Sequence, residues 1–430
     1  MFIGLVCVLV AVGIQMVHSA SVSSHPGLSD RIYLERHLVF VLVAAICGVA
    51  ASWVPAGWLH AKKWQLYVVL LALLVAVLIP GVGTRVNGAQ RWLRIGGLSL
   101  QPSELGRIIL PLLAAGLLTD LRACGFRLRT VPLTLLPLVL VVPLTAAEPD
   151  LGATVFLTLG FVTALFIGGW PLKYFVAGAT LAVPAAVSLF ALKSYQMKRI
   201  TGFVAAWQDL SSAPWQIRQS LLSLGAGGLK GTGVGAGWQK LSYLPEANTD
   251  FVFAVIGEEL GLAGTLGVVI VWIGVYLTGR SVLRHLPRDS FEWIFGSTLV
   301  IQITLQALAN VAVVTAMVPP KGVPHPFISY GGTNLLVNIV AVGIVVGLGR
   351  RSGDQALIAT IEPEPAPAQT LQSGLDECCG QTDRSDQPSC PPSGTVVSRD
   401  AVSGPDPADS TTSDGADSEQ DIEAGSPEDR

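Results

Sequence analysis

The sequence predicts an all-α polytopic membrane protein with a disordered C-terminal tail. Of its 430 residues 51% are hydrophobic and 13% are charged, and the mean hydropathy is +0.56, which excludes an ordinary soluble domain. The apolar residues are gathered in ten runs. Charge divides the chain, because residues 1–350 hold 23 Lys or Arg against 13 Asp or Glu, whereas residues 351–430 hold 4 against 17. We therefore predict a ten-helix transmembrane domain over 1–350 and a separate acidic tail over 351–430.

Each apolar run is interpreted as one transmembrane helix, since about 20 residues cross a hydrocarbon core of about 30 Å. The first run lacks the basic n-region of a signal peptide, so it is counted as a span. In order, the runs fall at about 1–18, 38–57, 64–81, 103–119, 131–146, 151–169, 172–192, 251–278, 292–318 and 330–349.

The short loops give the orientation. Eleven Lys or Arg lie in the short loops of one side and six in those of the other. Basic loops stay in the cytoplasm, which places both termini there. The large loop between helices 7 and 8, at about 193–249, is then extracytoplasmic.

Asp250 stands where the eighth span begins. One interpretation is that it caps the helix, because Asp accepts hydrogen bonds from first-turn N–H groups. Glu258 and Glu259 enter the same apolar segment, and ionisable residues inside a membrane indicate function. Asp250 is therefore a candidate functional residue.

Several cations lie on the predicted outer side, where an anionic lipid head group could bind them. Glu104 and Arg107 stand three residues apart and predict a structural ion pair on one helix face. Asp150, in a tight outer turn, predicts a helix cap. The clustered outer cations are Arg91 and Arg94 around Trp92, the adjacent Lys198 and Arg199, and Arg218.

Two outer loops have unusual composition. Seven glycines in 225–237 exclude a regular helix and permit close backbone approach to a ligand. Four prolines exclude a helix through 319–326, and Ser329 offers a hydroxyl beside the last span. His325 has no partner at metal-ligand spacing and is interpreted as a loop residue.

Over about residues 3–350 the chain resembles the SEDS family (shape, elongation, division and sporulation) of membrane-embedded peptidoglycan polymerases. It looks more like the division branch, FtsW, than RodA. Departures from the family pattern are Arg107, Glu148, Asn248 and Pro320. The motifs that carry the resemblance are Gln90-Arg91-Trp92, Gln101-Pro102-Ser103-Glu104, Pro149-Asp150-Leu151-Gly152, Leu244 to Gly261, and Pro326 to Gly332.

The resemblance implies a glycosyltransferase that polymerises lipid II and releases undecaprenyl pyrophosphate, with Asp250 as the catalytic base. It also implies a divalent cation, Mg²⁺ or Mn²⁺, as a candidate cofactor, and a location in the bacterial inner membrane at the division septum. The expected partners are a class B penicillin-binding protein and other division proteins, with no nucleic acid. Substrate-binding candidates are Arg91, Lys198, Arg199, Arg218, Glu246, Lys321 and Ser329.

Three alternatives stay open. Ten spans with buried charges also describe a transporter, and a lipid II flippase would bind the same head group, with Glu258 as its best candidate residue. A RodA-type polymerase would serve elongation, and a scaffold would need no chemistry at all. The tail beyond 350 lacks aromatic residues and is predicted to be disordered and cytoplasmic.

Overall fold

The computed structural model describes residues 1–21, 28–86, 89–95, 98–123, 131–180, 201–204, 207, 209, 213–238, 244–319 and 321–361. Residues Met1–Pro363 form one compact unit, in which α10 continues past the predicted boundary at residue 350. Its elements are α1 (Phe2–Ser21), α2 (Leu28–Trp53), α3 (Ala56–Leu78), β1 (Gly83–Val86), β2 (Ala89–Ile95), β3 (Leu98–Leu100), α4 (Pro102–Ala123), α5 (Val131–Ala147), α6 (Leu151–Ile167), α7 (Trp215–Gly227), α8 (Val252–Val282), α9 (Phe291–Val314) and α10 (Gly332–Ile361).

The described residues form a mostly helical protein with six helices long and apolar enough to cross a membrane. Two shorter apolar helices, Thr134–Ala147 and Gly152–Ile167, lie within α5 and α6. The predicted seventh run, 172–192, leaves the described part of the chain after residue 180. The six candidate spans are Phe2–Ser19, Leu34–Trp53, Ala56–Leu78, Val252–Val282, Phe291–Val314 and Gly332–Arg351.

The prediction of an all-α chain is wrong between α3 and α4, where β1, β2 and β3 form an antiparallel sheet in that order. The sequence contains a signal for a hairpin at this place, because the dipeptide Asn87-Gly88, between β1 and β2, is a sequence that favours two-residue hairpin loops. Gln90 of β2 donates hydrogen bonds from Nε2 to the carbonyls of Val77 and Ile79, at 3.0 Å each. The sheet is thus fixed to the last turn of α3, whose carbonyls have no intrahelical partner.

Buried apolar side chains form two clusters. One joins α1, α8, α9 and α10, and includes Phe253, Trp272 and Phe327. The other joins α3, α4, α5 and α6, and includes Leu70 and Phe161. The first cluster includes residues of the segment before α8, and the second includes residues of α5 and α6. Residues from both clusters can therefore meet at one end of the helices.

Helix α8 is broken at Gly261, whose φ of 66° and ψ of −161° are not helical. The glycine-rich segment 228–233 supplies the backbone partners that the break removes. Thr232 and Gly233 donate N–H groups to the carbonyls of Glu258 and Glu259, at 3.0 Å each, and Leu262 donates to the carbonyl of Gly228 at 2.9 Å. The glycines were predicted to permit close backbone approach to a ligand. In the structure they permit close approach of this segment to α8.

Candidate functional site

Asp250 closes a tight turn immediately before α8. The carbonyl of Glu246 accepts N–H groups from Thr249 and Asp250 at 3.1 Å and from Phe251 at 3.2 Å. Glu246 itself has a φ of 56°, which is uncommon for residues other than glycine. The turn leaves the Asp250 side chain half-buried, two residues before the candidate span Val252–Val282.

The surroundings of Asp250 favour its protonated form more than water does. The pKa of Asp250 is raised to about 7, chiefly by burial and also by the carboxylates of Glu246 and Asp150, whereas Arg91 opposes the rise. A carboxyl group with a pKa near 7 can accept a proton at neutral pH and release it again, as a general base must.

The α5–α6 turn brings Asp150 and Arg91 to the same place. Asp150 caps α6, because its Oδ1 accepts the N–H of Ala153 at 2.9 Å, as the sequence predicted. Its Oδ2 accepts from Nε2 of Gln101 at 2.9 Å and lies 3.5 Å from Nη1 of Arg91. Arg91, on β2, also donates to the carbonyls of Glu148 at 3.3 Å and Pro149 at 3.0 Å. It therefore fixes the turn, while 34% of its side chain stays exposed.

Gly322 lies between the two aspartates. A methyl group built on Gly322 would be 2.6 Å from Oδ2 of Asp250, and one built on Gly152 would be 3.4 Å from Oδ1 of Asp150 and 3.6 Å from the Gly322 carbonyl. Lys321 precedes it and is half-buried. Burial lowers the pKa of the Lys321 ammonium, and the negative charge of Asp150 opposes that shift. Only a glycine can lie against the Asp250 carboxylate in this way.

Glu148 is fully buried behind this turn. Neither of its carboxylate oxygens has a hydrogen-bond partner among the described residues. The pKa of Glu148 is raised to about 8, chiefly by burial and also by the Asp150 carboxylate, whereas Arg91 opposes the rise. Glu148 is therefore held largely as a neutral acid at pH 7.

His325 and Ser329 lie in the proline-rich loop, residues 319–331, between α9 and α10. Both are buried, and their hydrogen bonds join this loop to the Asp250 turn and to α9. The Ser329 hydroxyl accepts the His325 N–H at 2.7 Å and donates to the carbonyl of Thr249. His325 is hydrogen-bonded to Asn310 of α9 and to Trp272 of α8, at 2.9 Å each. Asn310 in turn donates to the backbone carbonyl of Asp250 at 2.7 Å. Nothing in the sequence marks Asn310, because its hydrogen-bond partners lie 13 to 60 residues away.

Glu104 and Arg107 form the expected ion pair, with 2.7 Å between Nη1 and Oε2. Arg107 also donates to Oε1 of Gln306 on α9, and Asn334 of α10 donates to Oε2 of Glu104 at 3.1 Å. The pair is nearly buried and connects three helices. These contacts are typical of a structural role.

The remaining predicted site residues are Lys198, Arg199, Arg218 and Glu246. Lys198 and Arg199 lie outside the described residues. Arg218 is exposed on α7, and no ion pair joins it to another described residue. Glu246 is exposed beside Asp250, and its Oε2 accepts the Thr249 hydroxyl at 3.0 Å. Of the predicted cations, the structure brings Arg91 and Lys321 to the aspartates.

Glu258, the best candidate of the transport alternative, lies buried in α8. Its Oε1 accepts the N–H of Trp238 at 2.7 Å, and Oε1 of the neighbouring Glu259 accepts the Ser19 hydroxyl of α1 at 2.6 Å. Both carboxylates thus connect α8 to other segments of the fold. These contacts favour a structural role over a substrate site in the middle of the helices.

A divalent cation would need several oxygen ligands that converge on one point. In the described part of the chain, no three Asp, Glu, His or Cys side chains do so. Both carboxylate oxygens of Asp150 already accept hydrogen bonds, from Ala153 and Gln101. The described residues therefore include no cluster of three such side chains for Mg²⁺ or Mn²⁺.

Comparisons with known proteins show which family the chain matches. A model of the FtsW, RodA and SpoVE family, described as cell cycle protein, matches residues 1–353. The chain is 37% identical over 364 residues to the probable peptidoglycan glycosyltransferase FtsW of Hahella chejuensis. The aligned region covers 82% of this chain and 91% of that protein. It is 38% identical over 356 residues to the protein of the same description from Trichlorobacter lovleyi, with coverage of 80% and 91%.

Two solved structures are similar. One is a chain of a peptidoglycan synthase complex reported for the structural coordination of polymerization and crosslinking, with a TM-score of 0.66, 25% identity, and coverage of 82% of this chain and 97% of that one. The other is the rod shape determining protein RodA of Thermus thermophilus, with a TM-score of 0.60, 26% identity, and coverage of 82% and 96%.

Proposed function

This chain belongs to the FtsW, RodA and SpoVE family of cell cycle proteins, and on that premise we propose that it is a peptidoglycan glycosyltransferase. It polymerises lipid II into glycan strands and releases undecaprenyl pyrophosphate. The observation that carries the proposal is the half-buried Asp250, whose pKa is raised to about 7 beside Arg91 and Lys321.

Asp250 is the proposed catalytic base. The 4-hydroxyl oxygen of the GlcNAc of one lipid II forms a bond to C1 of the MurNAc at the end of the growing chain, and the bond from C1 to the pyrophosphate oxygen breaks. The hydroxyl proton passes to the Asp250 carboxylate. A base with a pKa near the working pH combines an ionised ground state with adequate basicity, and such catalysis contributes about 10²–10⁴-fold.

The leaving pyrophosphate gains negative charge as the bond breaks, so cations beside it stabilise the transition state. Lys321 is the better of the two candidates, because none of its ammonium hydrogens is used in an ion pair with a described residue. Arg91 can contribute because its guanidinium is partly exposed. It already makes three contacts with the α5–α6 turn, namely two hydrogen bonds and one ion pair. In this role, Arg91 both fixes the turn and faces the substrate.

The remaining features follow the same premise. We infer ten spans, both termini in the cytoplasm, and a site at the outer face of the inner membrane. The relatives described above carry the name FtsW, which favours septal synthesis in division over elongation. A class B penicillin-binding protein is the proposed partner, since the similar solved complex combines polymerization with crosslinking.

The test is reconstitution of the purified protein in liposomes with fluorescent lipid II and the cognate transpeptidase. Glycan length is scored by gel, and translocation of lipid II across the bilayer is scored in parallel. We expect Asp250→Asn to abolish polymerisation while the melting temperature stays that of the wild type. Asp289→Asn is the matched control, because that exposed carboxylate pairs with Arg122 away from the site. Full polymerisation by Asp250→Asn would defeat the assignment.

A further inference from the structure

Asn310 of α9 is a fully buried side chain that holds the backbone of Asp250. Both hydrogens of its amide nitrogen are used, one by the carbonyl of Asp250 and one by the carbonyl of Val323, at 2.7 Å each. Its amide oxygen lies 2.9 Å from Nδ1 of His325. One amide group thus joins the turn before α8 to the proline-rich loop before α10.

The orientation of this amide is determined by His325. Trp272 can only donate from its indole nitrogen, and it does so to Nε2 of His325 at 2.9 Å. The hydrogen of the neutral ring must then be on Nδ1, from which it is donated to the oxygen of Asn310. His325 is fully buried and stacks on Phe253, and burial lowers the pKa of its ring to about 3, so the ring is neutral throughout the working range. The amide nitrogen of Asn310 therefore points to Asp250.

The two preceding carbonyls of the turn are held as well. Tyr330 donates its N–H to the carbonyl of Asn248 at 2.8 Å, and the Ser329 hydroxyl donates to the carbonyl of Thr249. Three consecutive carbonyls before α8 thus accept hydrogen bonds from α9 and from the proline-rich loop. The Asp250 side chain has only two rotatable bonds, so a fixed backbone limits the positions that its carboxylate can reach.

We propose that Asn310 and His325 are positioning residues of the glycosyl transfer, which aim the carboxylate of Asp250 by holding its backbone carbonyl. This inference rests on the proposed role of Asp250 as base. It assigns a function to the one buried histidine of the proline-rich loop, which neither metal binding nor proton transfer explains. Because a misplacement of about 1 Å can cost about 10²-fold in rate, loss of this hydrogen-bond chain acts on the chemical step.

Two substitutions of His325 separate positioning from packing. In His325→Asn the side-chain amide nitrogen replaces Nδ1 as the donor to Asn310, and the Trp272 bond is lost. In His325→Gln the amide oxygen replaces Nε2 as the acceptor for Trp272, and the donor to Asn310 is lost. Each variant removes one buried hydrogen bond, so both lower the melting temperature. We expect His325→Asn to keep kcat within about threefold and His325→Gln to lose about 10²-fold in kcat with little change in KM.

A second pair of variants covers the case in which the His325 proteins do not fold. Asn310→Ala removes the donor to Asp250. Asn338→Ala removes a buried asparagine whose nitrogen, among the described residues, bonds within α10 to the carbonyl and the side-chain oxygen of Asn334. We expect both to lower the melting temperature and only Asn310→Ala to lower kcat. Assays are made on the monodisperse fraction, well below each melting temperature, with Asp250→Asn alongside.

The outcomes are distinct. If kcat follows the melting temperature across all four variants while Asp250→Asn is inactive, the positioning role is overturned and the proposed base stands. If Asp250→Asn polymerises lipid II, the proposed function itself fails. A low kcat in His325→Gln and Asn310→Ala, with kcat kept in His325→Asn and Asn338→Ala, supports the inference.

Discussion

Replacement of Gly322 by alanine places a methyl group against the Asp250 carboxylate. The new carbon would be 2.6 Å from Oδ2, whereas ordinary van der Waals contact begins at 3.4 Å, so the oxygen must retreat by about 0.8 Å. Gly322 is exposed and its φ is not positive, so alanine itself fits the backbone. The short side chain of Asp250 can rotate away, which keeps the fold intact and moves the base.

The size of the effect follows from that displacement. A shift of about 1 Å in a catalytic group costs about 10²-fold in rate, which is about 2.7 kcal/mol of transition-state stabilisation. We expect the loss in kcat, because the ground-state complex does not depend on the direction of one oxygen. The measurement is steady-state polymerisation of fluorescent lipid II by the reconstituted protein, with kcat and KM determined separately and with the melting temperature recorded in the same detergent.

Gly331→Ala is the matched control in the same loop. A methyl group there meets only Cβ of Asn334, at 3.6 Å, so it should leave kcat within about twofold of the wild type. If Gly322→Ala also retained kcat within about twofold, the carboxylate of Asp250 would not need its present position, and the argument from geometry would be refuted.

Three further predictions concern titration and stability. The pKa of Asp250 near 7 implies that kcat falls about tenfold per pH unit below 7 and reaches a plateau above it, as a pH–rate profile will show. The pKa of Glu148 is raised to about 8 in the folded protein. The wild type should therefore lose stability relative to Glu148→Gln as the pH rises from about 4.5 to 8, by at most about 1.4 kcal/mol per pH unit. Melting temperatures of the two proteins at pH 5 and pH 8 test this. Arg107→Met should destabilise the protein by about 3–5 kcal/mol because it leaves the nearly buried Glu104 carboxylate without its cation, and an unchanged melting temperature would contradict this.

The sequence sufficed for features that depend on local pattern. Apolar runs located α1 to α6 and α8 to α10 because a span needs a continuous stretch, whereas α7 lies within the predicted large loop. The Asp150 cap and the Glu104–Arg107 pair follow from residues one turn apart. Asp250 stood out because a carboxylate beside an apolar run is costly. The small sheet was missed, since strands of three to seven residues between two spans give a weak periodic signal.

The contacts that aim Asp250 could not be predicted in the same way. The carbonyls of residues 248–250 accept hydrogen bonds from donors 60 to 82 residues later in the chain, and backbone carbonyls have no residue type that would mark them. His325 was interpreted as a loop residue because it lacks a metal-ligand pattern. Its partners, Trp272 and Asn310, lie on two different helices and become neighbours only when α8 and α9 pack.

The break in α8 has a consequence for how the protein enters the membrane. A bent span with exposed carbonyls is poorly tolerated in lipid, yet the glycine-rich segment that pairs with those carbonyls comes earlier in the chain and is synthesised first. When Gly261 leaves the ribosome, the glycine-rich segment 228–233 has already been synthesised and can pair with α8. In a circular permutant that places this segment after α8, the helix would reach the bilayer alone, and insertion would slow or fail even though every native contact could still form.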